Sequence, residues 1–179
     1  MRLFAAGLLL IPMSYCDTPA RTTPDSREEV NALDYGYLDI EPAMQAYRLV
    51  AADMGETDEQ IEAWAPFVYD VIAKESGGCW NLKRRQIPVV GECLTFQSNP
   101  RRTGSDSGFG QVTAVWYKGP RAPLCKGLGL CSQAAVLESP YTSMQSLVFV
   151  LQHSGKQPWC FNAWARKFHK CKLAPAGKL

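Results

Sequence analysis

Apolar residues spaced three and four positions apart predict two helices in the first half of the chain. The first begins at Pro42 and ends at Gly55. The second begins after Thr57, which forms a capping-box pattern with Gln60, and we expect Pro66 to interrupt this helix and to restart it as a first-turn residue. The two apolar stripes consist of Met44, Tyr47, Leu49 and Val50, and then of Ile61, Trp64, Val68, Val71 and Ile72.

Two further helices are predicted near the C-terminus. Ser139 is a favoured N-cap residue, Pro140 suits the first helical position, and Gly155 is expected to end the helix. Pro158 opens a last helix in the same way. The residues expected to face the core are Met144, Leu147, Val148 and Leu151 in the first of these helices, and Phe161, Trp164, Ala165 and Phe168 in the second.

The middle of the chain has a different pattern. Residues 86–97 combine β-branched and aromatic side chains around a glycine, which predicts a short hairpin or an irregular β region. Residues 111–117 fit either a strand or the first turn of a helix, and the glycine-rich residues 118–131, with two prolines and two cysteines, predict a loop held by a disulfide. The fold class is therefore α+β, mostly helical, with a small β region.

The N-terminus resembles an export signal. A short basic start precedes an apolar run over residues 3–13, and we expect cleavage after Ala20, because Thr18 and Ala20 are small residues of the kind a signal peptidase reads. A lipoprotein signal with Cys16 as the lipidated residue and an uncleaved anchor are the alternatives. The predicted organisation is a signal peptide at 1–20, a polar linker at 21–40, one domain at 41–172 and a tail at 173–179, in the periplasm or outside the cell.

Export changes what the cysteines are expected to do. The chain has seven cysteines, and six remain once Cys16 leaves with the signal. An even number in an exported domain predicts disulfides, and pairing between sequence neighbours gives 79–93, 125–131 and 160–171. A zinc site formed by Cys160, His169 and Cys171 is the alternative, although their spacing matches no common zinc pattern.

Charge is distributed unevenly along the chain. The formal net charge is only +2, but residues 21–62 hold eleven acids against three arginines, and residues 151–179 hold six Lys or Arg and no acid. The basic C-terminal segment suits an anionic polymer such as cell-wall glycan or nucleic acid. A solvated helix face explains the same charges equally well.

Glu75 is the strongest candidate for chemistry. It continues the apolar stripe of Val68, Val71 and Ile72, and two glycines follow soon after it. This spacing places a carboxyl group on the buried face of a helix at the point where the helix ends. A carboxyl group partly removed from water can hold a proton to donate, as a general acid for glycoside cleavage must. The alternative is a solvated carboxylate at a helix C-terminus.

Two short motifs resemble those of a known superfamily. Glu75-Ser76-Gly77, followed later by the run Ser-Gly-Phe-Gly-Gln that ends at Gln111, resembles the lysozyme-like superfamily, above all the soluble lytic transglycosylase domain and also resuscitation-promoting factors. Phe161-Asn162-Ala163 stands for the Tyr-Asn-Ala-Gly-type motif of these proteins, with Trp164 in place of its glycine. The resemblance covers residues 57–170 and implies a lysozyme-like domain.

The resemblance also implies a mechanism. Glu75 would protonate the glycosidic oxygen between N-acetylmuramic acid and N-acetylglucosamine, and would then act as a base on the muramoyl 6-hydroxyl. This lytic reaction needs one carboxylate and no metal or other cofactor, whereas ordinary hydrolysis needs two carboxylates, for which Glu92 and Asp106 are the candidates. The substrate-binding positions implied are Ser76, Trp80, Gly108, Gly110, Gln111, Trp116 and Asn162.

Each of these residues also has an ordinary structural explanation. Gln111 would bond either sugar or loop backbone, the glycines would allow either a close approach or a tight turn, and the tryptophans would either stack on sugar or fill the core. We expect His153 and His169 to lie at the surface or to cap helices. The tryptophans expected in the core are Trp64, Trp159 and Trp164.

Two main functions are consistent with these features. The first is an exported, monomeric enzyme that cleaves peptidoglycan glycan strands, with no nucleic acid partner and with a secretion, conjugation or phage assembly apparatus as a further candidate partner. The second is a non-catalytic lysozyme-like module that binds cell wall or a protein through its basic C-terminal segment, and an unrelated disulfide-rich effector is a third. An open groove at Glu75 with Gln111 across it would favour catalysis.

Overall fold

The computed structural model describes residues 25–83, 86–88, 93, 96–98 and 105–179. The predicted signal peptide with Cys16, the first residues of the predicted linker, and Glu92 lie outside the described residues. In chain order the described elements are α1 (Ser26–Asn31), α2 (Glu41–Asp53), α3 (Asp58–Glu75), β1 (Gln86–Pro88), β2 (Phe96–Ser98), a 3-10 turn (Ala114–Trp116), α4 (Pro123–Leu128), α5 (Gln133–Val136), α6 (Pro140–Ser154), α7 (Gln157–Cys160) and α8 (Ala163–Phe168).

The core is built from three long helices, as the apolar stripes predicted. Helix α2 contacts both α3 and α6. Thr57 caps α3 through a capping box with Gln60, and Ser139 caps α6. These caps satisfy backbone N–H groups that the first turn of a helix leaves without partners. The largest fully buried side chains in these helices are Tyr47, Phe67, Ile72, Met144, Leu147 and Leu151.

Helix α3 is continuous through Pro66, so the predicted interruption was wrong. A proline inside a helix removes one backbone hydrogen bond and costs about 3 kcal/mol. Pro66 is exposed, whereas its neighbours Phe67 and Val68 are fully buried. Burial of such side chains contributes about 1.5–3 kcal/mol each, which offsets the lost bond. The helix therefore runs on to Glu75.

The segment expected to be a linker instead contributes to the core in its described part. Asp25 caps α1, which contacts α2 and α6. Val30 in α1 is fully buried, and Tyr35 donates a hydrogen bond of 2.8 Å to the Val30 carbonyl. The predicted tail is packed as well, because Leu179 is buried and its backbone N–H lies 3.3 Å from the Leu151 carbonyl. In both segments, a few apolar side chains within a polar stretch pack against the rest of the domain.

The predicted hairpin and the three predicted disulfides are confirmed. Strands β1 and β2 pair antiparallel. Within the described residues, disulfides join Cys79 to Cys93, Cys125 to Cys131, and Cys160 to Cys171. The first disulfide ties the hairpin region to the chain just after α3, and the second holds α4, a short helix that forms inside the predicted loop. Disulfides of this number fit an oxidising compartment.

The C-terminal region differs most from its prediction. The single helix expected after Pro158 is two short helices, α7 and α8. They are separate because Asn162 adopts an extended conformation and its side chain accepts a hydrogen bond of 2.7 Å from Ala165 N, which starts α8 anew. Ala165 is buried as predicted, but Phe161, Trp164 and Phe168 are 68%, 69% and 39% exposed. Three aromatic rings predicted for the core are therefore on the surface.

Among the helices that the structure describes, none is both long enough and apolar enough to cross a membrane.

Candidate active site

Glu75 is the last residue of α3, as the glycines after it predicted. Ser76 caps the helix end, and both Gly77 and Gly78 have positive φ angles of 60° and 91°. A side chain at Gly78 would lie 2.5 Å from the Asp39 carbonyl, so glycine is required for the chain to turn here. The Glu75 side chain is 23% exposed. It is therefore partly buried but reachable from solvent, as a general acid must be.

Glu75 lies in a cleft with a volume of about 460 Å³. One side of the cleft comes from the end of α3 and the loop that contains Asp106, Gln111 and Trp116. The other side comes from residues 158–169, which include the exposed aromatic rings. The full lining is Lys74, Glu75, Asp106, Gln111, Val112, Thr113, Trp116, Val150, Pro158, Trp159, Phe161, Trp164, Ala165, Phe168 and His169.

His169 is bonded to Glu75. Its Nε2 lies 2.9 Å from Glu75 Oε1, and the histidine side chain is only 3% exposed. His169 is the C-cap residue of α8, as one prediction allowed, but its ring is not at the surface. The cleft therefore contains a buried imidazole in contact with a partly buried carboxyl group.

Asp70 completes this polar group one turn earlier in α3. Its Oδ1 forms an ion pair with Lys74 Nζ at 2.8 Å, and its Oδ2 accepts hydrogen bonds from Lys74 Nζ at 3.1 Å and from the backbone N–H of Lys170 at 2.9 Å. The Lys74 ammonium also donates to the Phe168 carbonyl and lies 5.4 Å from the centre of the Phe168 ring. These bonds attach the end of α8 and the residues after it to α3.

The turn that carries the Gly-Phe-Gly-Gln motif is packed against α6. Gly108 N–H donates to the Leu82 carbonyl at 2.9 Å, and Ser143 Oγ of α6 accepts from Phe109 N at 3.1 Å. Phe109 itself is fully buried. The amide nitrogen of Gln111 donates to the carbonyls of Leu82 and Gly108 at 2.9 and 3.1 Å. Gln111 thus lines the cleft, but its amide donors bind backbone.

The two glycines of this motif have steric reasons to be glycine. A Cβ at Gly108 would lie 2.4 Å from Ser143 Oγ, and one at Gly110 would lie 2.7 Å from a methyl group of Leu147. Both positions therefore face α6 rather than an open groove. Gln111 has a φ of 48°, which is uncommon for a residue other than glycine and occurs often at functional sites.

The other predicted site residues divide into two groups. Trp116 lines the cleft and is half-buried. Ser76, Trp80 and Asn162 are not among the residues that line it. The Ser76 hydroxyl donates to the Ile72 carbonyl at 3.2 Å, and Asn162 is used as a helix cap. The Trp80 carbonyl accepts from Ser143 at 2.9 Å, and its ring packs on the core.

Sequence reasoning missed the contribution of residues 161–169 to the site. The rings of Trp164 and Phe168 stack on each other, with their planes inclined by only 5° and their centres 5.2 Å apart, and this pair forms an aromatic surface at the cleft. The spacing of four places both residues on one face of α8, but the prediction assigned that face to the core. The sequence signal that could have corrected this prediction is Asn162, a favoured N-cap residue that starts a new, short helix whose aromatic stripe does not pack on the core.

The zinc alternative is excluded for its cysteines, because Cys160 and Cys171 are joined to each other. In the part of the chain that the structure describes, no group of three or more His, Cys, Asp or Glu side chains is arranged to hold a metal ion. Comparison of the chain with protein-family models, with curated proteins and with solved structures finds no match. Function must therefore be argued from the cleft itself.

Proposed function

We propose that this protein is an exported lytic transglycosylase with a lysozyme-like domain, which cleaves the β-1,4 bond between N-acetylmuramic acid and N-acetylglucosamine in peptidoglycan. The observation that carries the proposal is a single partly buried glutamate, Glu75, in a cleft edged by exposed aromatic rings. Three features support the fold: a helix that ends at a glutamate, a hairpin region after it, and a Gly-Phe-Gly-Gln turn whose last residue, Gln111, lines the same cleft.

The reaction needs only one carboxyl group. Glu75 donates its proton to the glycosidic oxygen as the bond from that oxygen to the anomeric carbon breaks. The resulting carboxylate then takes the proton of the muramoyl 6-hydroxyl as the 6-oxygen bonds to the anomeric carbon. Proton and charge balance, and Glu75 is returned to its starting state. The 6-hydroxyl has a high effective concentration because it belongs to the same sugar ring.

The aromatic rings give the cleft its preference for sugars. Pyranose rings present faces of C–H bonds that pack on aromatic rings, and burial of part of a large aromatic side chain contributes about 1–2 kcal/mol. The stacked pair of Trp164 and Phe168 lies on one side of the cleft, and Trp116 lies in the opposite part of the lining. A glycan strand laid along the cleft would contact rings from both sides.

Charge favours peptidoglycan over a neutral glycan. Muramoyl residues carry lactyl groups and peptides with free carboxylates, and residues 151–179 hold six Lys or Arg and no acid. Arg166 and Lys167 are exposed on α8, next to the aromatic surface. Long-range attraction between these groups would raise the rate at which a negatively charged wall polymer is captured. The three disulfides agree with a site of action outside the cytoplasm.

Product mass after digestion of purified peptidoglycan tests this function. We expect muropeptides with 1,6-anhydromuramoyl ends, which are lighter by one water than reducing ends. Asp106 is buried and lines the same cleft, so Asp106→Asn is the first control, and Glu92→Gln is the second. Reducing ends that disappear in either variant would show hydrolysis with two carboxylates instead. Binding of glycan without any cleavage would favour the non-catalytic module.

A further inference from the structure

His169 is a buried side chain to which the reaction proposed above gives no role. Its Nε2 lies within hydrogen-bond distance of Glu75 Oε1, at 2.9 Å. On the other side of the ring, Nδ1 lies 3.6 Å from Asp70 Oδ2, which is too far for a hydrogen bond, and this buried nitrogen has no hydrogen-bond partner. The ring therefore has one strong polar contact, and that contact is to the candidate general acid.

The position of the His169 ring is set by contacts other than the one to Glu75. The His169 backbone N–H donates to the Ala165 carbonyl at 2.8 Å, which ends α8. The edge of the ring packs at 86° against Phe168, with ring centres 4.9 Å apart. The next residue is attached to Asp70 through its backbone N–H, and the one after that is Cys171 of a disulfide. These contacts fix the position of Nε2, so a hydrogen bond to Nε2 can restrict the rotation of the Glu75 side chain.

From this geometry we infer that His169 is the positioning residue of Glu75, a role that rests on the proposed function. A hydrogen bond from Nε2–H holds Oε1, so the other carboxyl oxygen, Oε2, carries the proton that passes to the sugar. A glutamate side chain has three rotatable bonds, and a partner at one oxygen restricts them to the reactive arrangement. A displacement of about 1 Å in a reacting group can cost about 100-fold in rate.

The distances also indicate where the imidazole proton lies. Nδ1 lies 3.6 Å from Asp70 Oδ2, which is too far for a hydrogen bond, so a proton on Nδ1 would have no acceptor. Asp70 already accepts from Lys74 and from the backbone of Lys170. A proton on Nε2 does have an acceptor, because Glu75 Oε1 lies 2.9 Å away.

This arrangement serves both halves of the reaction. While Glu75 is protonated on Oε2, Nε2–H donates to the carbonyl oxygen Oε1. Once the proton has passed to the glycosidic oxygen, the same donor faces a carboxylate, and the hydrogen bond becomes charge-assisted and stronger. The proton of His169 does not move in either step. Among the described residues, the charged groups around the pair are Asp70 and Lys74 from α3, and Asp106 from the loop that lines the same cleft.

A pair of variants separates hydrogen bonding from packing. In His169→Gln the side-chain amide nitrogen can occupy the place of Nε2 and donate to Glu75, whereas His169→Leu has a similar volume and no donor. We expect kcat on peptidoglycan to fall about 100-fold in His169→Leu and by less than about tenfold in His169→Gln, with little change in KM for either. His153→Gln is the matched control, because His153 is exposed and does not line the cleft.

Ring nitrogen NMR tests the contact without substrate. The chain has only two histidines, so His153→Gln assigns both sets of signals. We expect His169 to show the tautomer protonated at Nε2, and we expect its Nε2 signal to shift in Glu75→Ala while the His153 signals stay in place. A His169 ring protonated at Nδ1, or an Nε2 signal that does not shift in Glu75→Ala, would overturn the inference.

The two experiments also separate this inference from the proposed function. Wild-type protein that fails to cleave peptidoglycan while showing the expected NMR signals counts against the function and not against the pairing of His169 with Glu75. Full activity in a folded His169→Leu variant, or equal losses in His169→Leu and His169→Gln at unchanged melting temperature, counts against the positioning role alone. If His169→Leu does not fold, the NMR signals and the activity of His169→Gln decide.

Discussion

Cys160 and Cys171 form a disulfide that closes the segment carrying most of one side of the cleft. Between these two cysteines lie the exposed rings of Phe161, Trp164 and Phe168 and the buried ring of His169. The short helix α8 within this segment has six residues, too few to be stable in isolation. The disulfide and the bonds to Asp70 therefore hold the segment against α3.

Removal of this disulfide should damage the site more than removal of another disulfide does. We expect the double variant Cys160→Ser/Cys171→Ser to lose about 2–5 kcal/mol of stability and most of its activity on peptidoglycan. The matched control is Cys125→Ser/Cys131→Ser, because no residue between these two cysteines lines the cleft. Thermal unfolding gives the melting temperature of each variant, and turnover is then measured on both at a temperature below the lower of the two. Equal activity losses in the two variants would contradict a special role for the 160–171 segment.

Glu75→Gln should abolish cleavage and leave the fold intact. Glutamine has nearly the same shape and can still accept a hydrogen bond from His169, but it has no acid proton to donate. General acid–base catalysis contributes about 10²–10⁴-fold, so we expect a loss of at least that size in kcat. Glu138→Gln, at an exposed position away from the cleft, should have no effect. If Glu75→Gln keeps its activity at an unchanged melting temperature, Glu75 is not the general acid.

Trp164→Ala should weaken glycan binding without affecting stability. The ring is 69% exposed, so its removal leaves no cavity in the core. Loss of its packing against sugar should cost about 1–2 kcal/mol, or about 5- to 30-fold in Kd for soluble glycan fragments measured by calorimetry. Tyr69 is the matched control, because it is an aromatic residue that is 50% exposed on α3 but does not line the cleft. Equal affinities for Trp164→Ala and Tyr69→Ala would show that the aromatic surface does not contact glycan.

Gly108→Ala should destabilise the protein more than Gly119→Ala does. Both glycines have positive φ, at 76° and 97°, so the backbone strain of about 1 kcal/mol is common to the two variants. Only at Gly108 would the new methyl group meet another atom, Ser143 Oγ at 2.4 Å, whereas the space around Gly119 is open. Overpacking of this kind costs about 1–3 kcal/mol more, which chemical denaturation can resolve. Similar losses in the two variants would argue against close packing of the motif turn on α6.

Local interactions explain why much of the fold could be predicted. The capping boxes at Thr57 and Ser139 and the end of α3 at Glu75 depend on residues within a few positions of one another. The three disulfides join sequence neighbours among the cysteines, as local pairing predicted. In each case the sequence contains both partners of the interaction within a short span.

The site itself depended on contacts between distant parts of the chain. His169 and Glu75 are 94 positions apart, and nothing in the sequence around either residue indicates that they meet. Trp164 and Phe168 point outward because Asn162 starts α8 at that position and because α3 packs on the opposite side of the segment. The packing of Gly108 against Ser143 likewise requires the approach of α6 to the motif turn.

The sequence by itself therefore determined where the three long helices α2, α3 and α6 begin and end, how the cysteines pair and which glutamate ends α3. Tertiary structure alone decided that this glutamate meets a buried histidine, that Gln111 gives its amide donors to backbone, and that three aromatic rings face the cleft instead of the core. The physical reason is that caps, turns and apolar stripes act over a few residues. A site assembled from α3, the 106–116 loop and the 158–169 segment exists only once the core has brought them together.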